Sequence, residues 1–292
     1  MKKTIFPYVV LAPMMLLLFV FLVLPILGSF VIALFKYNPL NETGNTFIGF
    51  ENFRRLAADE LFNISFVNTL IYVFIMVGIN LVITLLFAQL LTSLSSNKWR
   101  SLFRVLLFMP CVAPLAAVSV IWSKGIFPVK GGLLNKLLSY VGVAPINWLG
   151  NPSTLMPALL ILSLWADIGY NIILFISGLQ SIPLDYLDAA QIDGAGPIRR
   201  FFSITFPLLG RTFSYVTAMT LISQFQAFAQ FAIVAPNGGI GRRGYVLSTY
   251  IYDMGFRNKD MGYASTVSLV LFFIILIVTL VQQRLNRVDW GY

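Results

Sequence analysis

The chain has 292 residues, of which 58% are hydrophobic and only 11% charged, with a mean hydropathy of +0.84. A soluble domain carries roughly a quarter charged residues, so this composition excludes that class and indicates a polytopic membrane protein. With no histidine and one cysteine, Cys111, no disulfide within the chain, no Cys/His metal site and no histidine-based triad is available, and the formal charge of +9 reads as interfacial anchoring and lipid contact rather than nucleic-acid binding.

Lys2-Lys3 followed by an apolar run imitates a signal peptide, but the uncharged stretch from Thr4 to Phe35 far exceeds its core of roughly 7–15 residues. It is expected to be a retained first span, about 8–35, kinked at Pro13 and Pro25. A polar connection follows, with the turn-rich NPLNETGN and an amphipathic piece around Phe53 to Phe62. The second span is expected at about 64–92, where Asn80 and Gln89 should face protein rather than lipid. The third, about 102–123, contains MPCVAP, whose two prolines break the helical ladder. A second polar connection runs from Lys124 to Pro152, then a fourth span at about 153–179.

The stretch Ser181 to Pro207, SIPLDYLDAAQIDGAGPIRRFFSITFP, interrupts this lipid-soluble pattern with three aspartates, two arginines, three prolines and two glycines. Pro183 suits a helix start and Gly194 a left-handed helix end, which predicts a helix from Pro183 to Asp193 and a restart at Gly196-Pro197. A fifth span is expected at about 208–235. The next polar connection should hold an interfacial helix near Tyr245 to Met254. A sixth span, about 262–281, precedes the tail RLNRVDWGY. The fold class is therefore all-α, one transmembrane domain over 1–292 with six spans and both termini on one side. Basic residues at short loops and span ends (Lys98, Arg100, Arg104, Arg199, Arg200, Arg211, Arg284, Arg287) favour that side being cytoplasmic.

No G-x-x-x-x-G-K-[ST] phosphate cradle exists in the chain, so ATP hydrolysis would need another polypeptide. Asp167 is the one acidic residue well inside an expected span. Such a residue either serves function at a water-filled cavity or is a paired or interface-wetted structural carboxylate. Tyr170 and Asn171 lie one turn along, so one helix face offers a carboxylate, a ring and an amide, the groups that bind a sugar. Thr217, Thr220, Ser223, Gln224 and Ala227 form a matching stripe on the fifth span, with Gln226 and Gln230 further out. The same stripe could equally serve hydrogen bonding between helices.

Asp188-Ala189-Ala190, three residues, Gly194, nine residues, Ile204, one residue, Phe206-Pro207 resembles the loop E-A-A-x3-G-x9-I-x-L-P of ABC-importer permeases, with Asp188 for Glu and Phe206 for Leu. The flanking IDGAGPIRRFF is similar to the maltose and glycerol-3-phosphate type of sugar permease. Further likeness extends through GFENF, NTLIY, FRVLLFMP, NWLGNP, LWADIGY and GYAS.

The resemblance implies a cytoplasmic coupling loop over 181–207, with Asp185, Asp188, Ala189, Ala190, Gly194, Ile204 and Pro207 meeting an ATPase. It implies a substrate site at Asp167, Tyr170, Asn171, Thr220, Ser223, Gln224 and Ala227, and no catalytic or metal residue. The implied partners are a second homologous permease, two ATPase subunits that hold ATP and Mg, a solute-binding protein outside and membrane lipid. A neutral sugar or oligosaccharide is favoured over glycerol-3-phosphate, because no Lys or Arg lies midway along any span to offset Asp167. A proton-coupled secondary transporter using Asp167 is the alternative of another class.

Overall fold

The computed structural model describes residues 2–41 and 44–285. Glu42-Thr43 of the turn-rich stretch and the tail from residue 286, with Arg287, lie outside them. Five helices are long and apolar enough to cross a membrane, or six if one bent pair counts as a span, so the chain is a multi-pass, essentially all-α membrane protein. It divides into two compact units, 1–63 with 250–273 and 64–249 with 274–292.

In the first unit, α1 (Lys2–Leu18) passes through a π turn, Phe19–Val23, into α2 (Leu24–Ile32). The helix therefore ends three residues short of the expected Phe35. Pro25 explains the π turn: an ordinary turn would press its ring on the carbonyl four residues back, and the wider turn relieves that contact. No side chain between residues 7 and 32 is buried. Two short strands, β1 (Phe35–Lys36) and β2 (Thr46–Phe47), pair antiparallel and are the one departure from all-α among the described residues. Asn52, on α3 (Glu51–Ala57), donates to the carbonyls of Ala33 at 2.8 Å and Phe35 at 3.1 Å, anchoring that corner.

Asp59 caps the next helix, α4 (Glu60–Ser93), accepting from the backbone N–H of Leu61 at 2.8 Å and Phe62 at 3.2 Å. It also accepts from the hydroxyls of Tyr250 and Tyr263. Partial burial works against its charge, but these four donors outweigh burial and hold the carboxyl below its ordinary range. Arg55 lies 4.0 Å over the Tyr263 ring and pairs with Asp260 at 2.6 Å.

In the second unit, α4 turns Asn68, Thr69, Tyr72, Met76, Asn80, Thr84 and Ala88 inward, at helical spacing, and leaves Val67, Ile71, Phe74 and Val82 exposed. The polarity is inverted relative to a soluble helix because lipid already solvates the apolar face. The expected third span is not one rod. α5 (Asn97–Val112) and α6 (Leu115–Ile121) meet at 94°, because Ala113 before Pro114 is forced into an extended conformation (φ −76°, ψ 138°). A π turn, Trp122–Ile126, and α7 (Leu133–Tyr140) follow.

The fourth span, α8 (Pro152–Gln180), starts on an Asn151 side chain that accepts from the Ser153 N–H, with Pro152 in the first turn. At Gly169 a Cβ would stand 2.1 Å from the Leu107 carbonyl oxygen, so only glycine allows α8 to approach α5 this closely.

α9 (Leu184–Ile192) fills the expected loop helix, with Pro183 at its N-cap rather than in its first turn. Gly194 ends it at φ 76°, and the Ala195 N–H reaches the Ala190 carbonyl at 2.9 Å, a Schellman closure. Then come α10 (Pro197–Arg200), a π turn Phe201–Thr205 and α11 (Phe206–Leu208), which contains Pro207.

The expected fifth span is two helices, α12 (Gly210–Phe225) and α13 (Ala229–Val234), separated at Gln226 to Phe228. The expected interfacial helix exists as α14 (Leu247–Tyr252), but Val246, Leu247 and Tyr250 are almost fully buried, so it packs inside rather than lying on a surface. The last span, α15 (Met261–Leu285), outruns the expected end at Val281.

Candidate functional site

Within the second unit, α8, α12 and the end of α5 enclose a cavity of about 400 Å³. That volume falls at the small end of the range for ligand pockets. α8 contributes Asp167, Tyr170 and Asn171, which share a face because they are three and four residues apart. α12 contributes Thr220, Ser223 and Gln224, and Ala166, Met219 and Cys111 complete the lining.

Two hydrogen-bonded chains hold these groups. Gln224 Nε2 donates to Asp167 Oδ2 at 2.7 Å, and Gln224 Oε1 accepts from the Tyr72 hydroxyl at 2.7 Å. Gln230 Nε2 donates in turn to Tyr72 at 3.3 Å and to Ser163 Oγ at 3.2 Å. The donors all point one way, so the carboxamide of Gln224 has a fixed sense and its N–H is committed to the carboxylate. In the second chain, Asn171 Nδ2 donates to Asn80 Oδ1 at 2.6 Å and to Thr220 Oγ1 at 3.0 Å, and Thr220 passes its own proton to the Val216 carbonyl at 2.7 Å. Asn171, Asn80, Thr220 and Gln224 are all buried, while Tyr170 is 48% exposed and offers a ring at the mouth.

Among the described residues no Lys or Arg lines the cavity, and the Asp167 carboxylate is met by an amide. A wall of carboxylate, hydroxyl, amide and aromatic face is chemically suited to a molecule that presents several hydroxyls. Among the described residues no three Cys, Asp or Glu side chains converge as metal ligands would.

Of the stripe expected on the fifth span, Thr220, Ser223 and Gln224 reach the cavity. Thr217 instead donates to its own helix at Phe213 O, 2.7 Å. Ala227 lies in the break between α12 and α13, where its carbonyl accepts from Ser248 Oγ, and it is not among the lining residues. Tyr72 and Ser163 were not singled out by sequence reading. Tyr72 lies on the inward stripe of α4, a position that spacing from Asn80 indicates, whereas Ser163 is hidden in an aliphatic run.

In the loop after α8, Asp185, Asp188 and Ala189 are exposed, Ala190 is buried, and Ile204 and Pro207 are half-buried. Asp185 lies in the first turn of α9, where the helix dipole favours a negative charge.

A family model described as "Binding-protein-dependent transport system inner membrane component" matches residues 90–288. The chain is 33% identical over 285 residues to the probable ABC transporter permease protein YurN of Bacillus subtilis (strain 168), which covers 97% of this chain and 96% of the relative. It is 31% identical over 285 residues to the arabinooligosaccharides transport system permease protein AraP of the same organism, covering 98% and 90%. A solved bacterial alginate ABC transporter, in complex with an alginate pentasaccharide-bound periplasmic protein, contains a chain of the same fold. Its TM-score is 0.85 at 21% identity, with 98% of this chain and 95% of that chain covered.

Proposed function

This chain belongs to the family of binding-protein-dependent transport system inner membrane components, and on that premise we propose that it carries a neutral sugar or oligosaccharide across the membrane. It is a transmembrane permease subunit of an ABC importer, a transporter component and not a catalyst. The observation that carries the sugar reading is the cavity of about 400 Å³ lined by Asp167, Tyr170, Asn171, Thr220, Ser223 and Gln224 with no cation. A phosphorylated solute would bring like charge up to Asp167 in a low-dielectric setting, which is costly, whereas a hydroxyl donates to it. The sugar named for the relative AraP supports the same class.

In this reading the whole chain acts as one permease domain with both termini cytoplasmic. It pairs with a second homologous permease, two ATPase subunits that hold ATP and Mg, and a solute-binding protein outside. The loop 181–207 is the coupling element. Its exposed Asp185, Asp188 and Ala189 meet the ATPase, buried Ala190 and half-buried Ile204 and Pro207 tie it to the spans, and Gly194 fixes its bend. Closure of the ATPases on ATP would tilt α9 and, through α8 and α12, open the cavity outward.

The test is ATP hydrolysis by the reconstituted complex with a panel of neutral oligosaccharides and glycerol-3-phosphate. Stimulation by a neutral sugar, weakened about tenfold in apparent affinity by Asp167→Asn through loss of one charged hydrogen bond, is expected. Stimulation by glycerol-3-phosphate alone would overturn the sugar assignment. Uptake abolished by a protonophore with the ATPase intact would instead favour proton coupling through Asp167.

A further inference from the structure

A second cavity, of about 600 Å³, lies between the last turn of α4, the end of α8, α9 and buried Thr205, with Arg100 of α5 in its wall. Arg100 Nη2 donates to the carbonyls of Thr92, at 3.4 Å, and Leu94, at the C-terminal end of α4, where the helix dipole favours a cation. That uses one nitrogen of the guanidinium. Arg100 Nε is shielded from water and has no acceptor, and the same holds for Nε and Nη2 of Arg104, one helical turn further along. Arginine keeps its charge in a protein, so these donors cannot be silenced by losing a proton. Each shielded N–H without an acceptor counts against the folded state.

The missing partner does not come from the described residues. No Asp or Glu lines this cavity, and the ion pairs among the described residues engage Arg54, Arg55 and Arg257. An acceptor from outside the described residues would complete these donors, and an anion matches the fixed charge of arginine. Gln89 Oε1, also on the cavity wall, is a shielded acceptor with no donor, so the same guest should carry an O–H or N–H as well. Thr92, Ser93 and Gln180 add polar atoms, whereas Leu179, Ile182, Leu184 and Leu187 make the remaining wall apolar. Outside, Trp99, Leu102 and Phe103 of α5 are exposed around Arg100, as aromatic and basic residues are at a membrane interface.

We propose that this cavity binds a phosphate group bearing a hydroxyl or amine donor, supplied either by a phospholipid headgroup or by free hydrogen phosphate. Phosphate oxygens accept the N–H donors that Arg100 presents on the cavity wall, and the donor on the same group satisfies Gln89. The guest would touch Leu184 and Leu187, so it would brace α9 against α4 and α8 and set how freely that helix moves. The site stands whether or not the transported solute is a sugar.

The test takes the full-length chain in its purified complex, stripped of lipid, and follows thermal melting and native mass spectra. Phosphatidylglycerol, phosphatidylethanolamine, diacylglycerol and inorganic phosphate are added separately. A phosphate-bearing ligand should bind and raise the melting temperature while diacylglycerol does not. Arg100→Gln should weaken that binding about tenfold or more, the loss of a charge-assisted hydrogen bond, and Lys98→Gln on the same helix should leave it unchanged. Stabilisation by the lipids but not by inorganic phosphate assigns the headgroup, and equal stabilisation by both assigns free phosphate. Should the Gln variant fail to assemble, Arg100→Lys keeps the charge without the fork and should still narrow the preference for phosphate lipid over diacylglycerol. Binding no stronger than that of diacylglycerol, or unaltered in the Arg variants, overturns the proposal.

Discussion

The wall of the cavity and the loop that follows it are consecutive in sequence and opposite in construction. Around Asp167 the long helices α8 and α12 bury Asn171, Thr220 and Gln224, and every step is held by a side-chain partner at 2.6–3.3 Å. From Leu184 to Leu208 the chain is short helices with Asp185, Asp188, Ala189, Ile192 and Ile198 exposed. On the proposed reading, a site that discriminates among solutes needs groups fixed before the solute arrives, which internal pairings provide. A region proposed to receive a push from another protein needs an open face and a defined bend, which the loop has.

The two glycines make the contrast sharpest. Gly169 is at a helical position where a Cβ would meet the Leu107 carbonyl at 2.1 Å, whereas Gly194 has open space around it and is required by φ 76°. Gly169→Ala should therefore give the largest loss, about 3 kcal/mol or more, because backbone and not a flexible side chain must yield. Thermal melting of the purified complex would register it, and an unchanged melting temperature would break the claim that α5 and α8 touch so closely.

Next is Gln224→Ala, which leaves the Tyr72 hydroxyl and the Asp167 carboxylate without their partner. About 2 kcal/mol of stability should go, together with solute affinity in the ATPase assay. A loss of stability with affinity intact would remove Gln224 from the site while keeping it in the scaffold.

Gly194→Ala should cost only about 1–2 kcal/mol locally, the strain of a left-handed residue with a Cβ. Melting of the cavity region should be nearly unaltered, while solute-stimulated hydrolysis falls. Equal damage to both would erase the distinction between the two regions.

The smallest effect belongs to neither region. The folded Asp59 carboxyl lies below its unfolded value, so its ionised form contributes stability that is complete above the ordinary carboxylate pKa of about 3.9 and is lost as pH falls through the lower folded value. Asp59→Asn should flatten that acid limb in melts run between about pH 2 and 5 without altering solute affinity.

How much of this was legible in the sequence follows the same division. The loop could be read because its determinants are local: Gly194 after a short helix and Pro197 before another act through their own dihedral angles. The spans were legible from apolar length, and so was the break at Pro114 from its proline, whereas the interruption at Gln226 to Phe228 was not, since no proline marks it and the apolar composition continues across it. Asp167, Tyr170 and Asn171 stood out because a polar residue in hydrocarbon needs a reason. Asn80 and Gln224 stood out in the same way and Tyr72 did not, but which of them pair was not legible, because they lie far apart in the chain and periodicity within one helix carries no information about which other helix it faces. The buried α14 was misjudged for the same reason, its aromatic content fitting an interface equally well.

The central claim is that an exposed loop transmits the work of a separate ATPase to a cavity fixed in advance. Cysteine cross-linking addresses it directly, using Ala189→Cys in a Cys111→Ser background with the assembled, ATP-cycling complex. The account predicts an adduct with the ATPase subunit whose formation abolishes solute-stimulated hydrolysis, reversed on reduction. An Ala189→Cys residue that is solvent-reactive yet never joined to the ATPase, in a complex that transports normally, would contradict it.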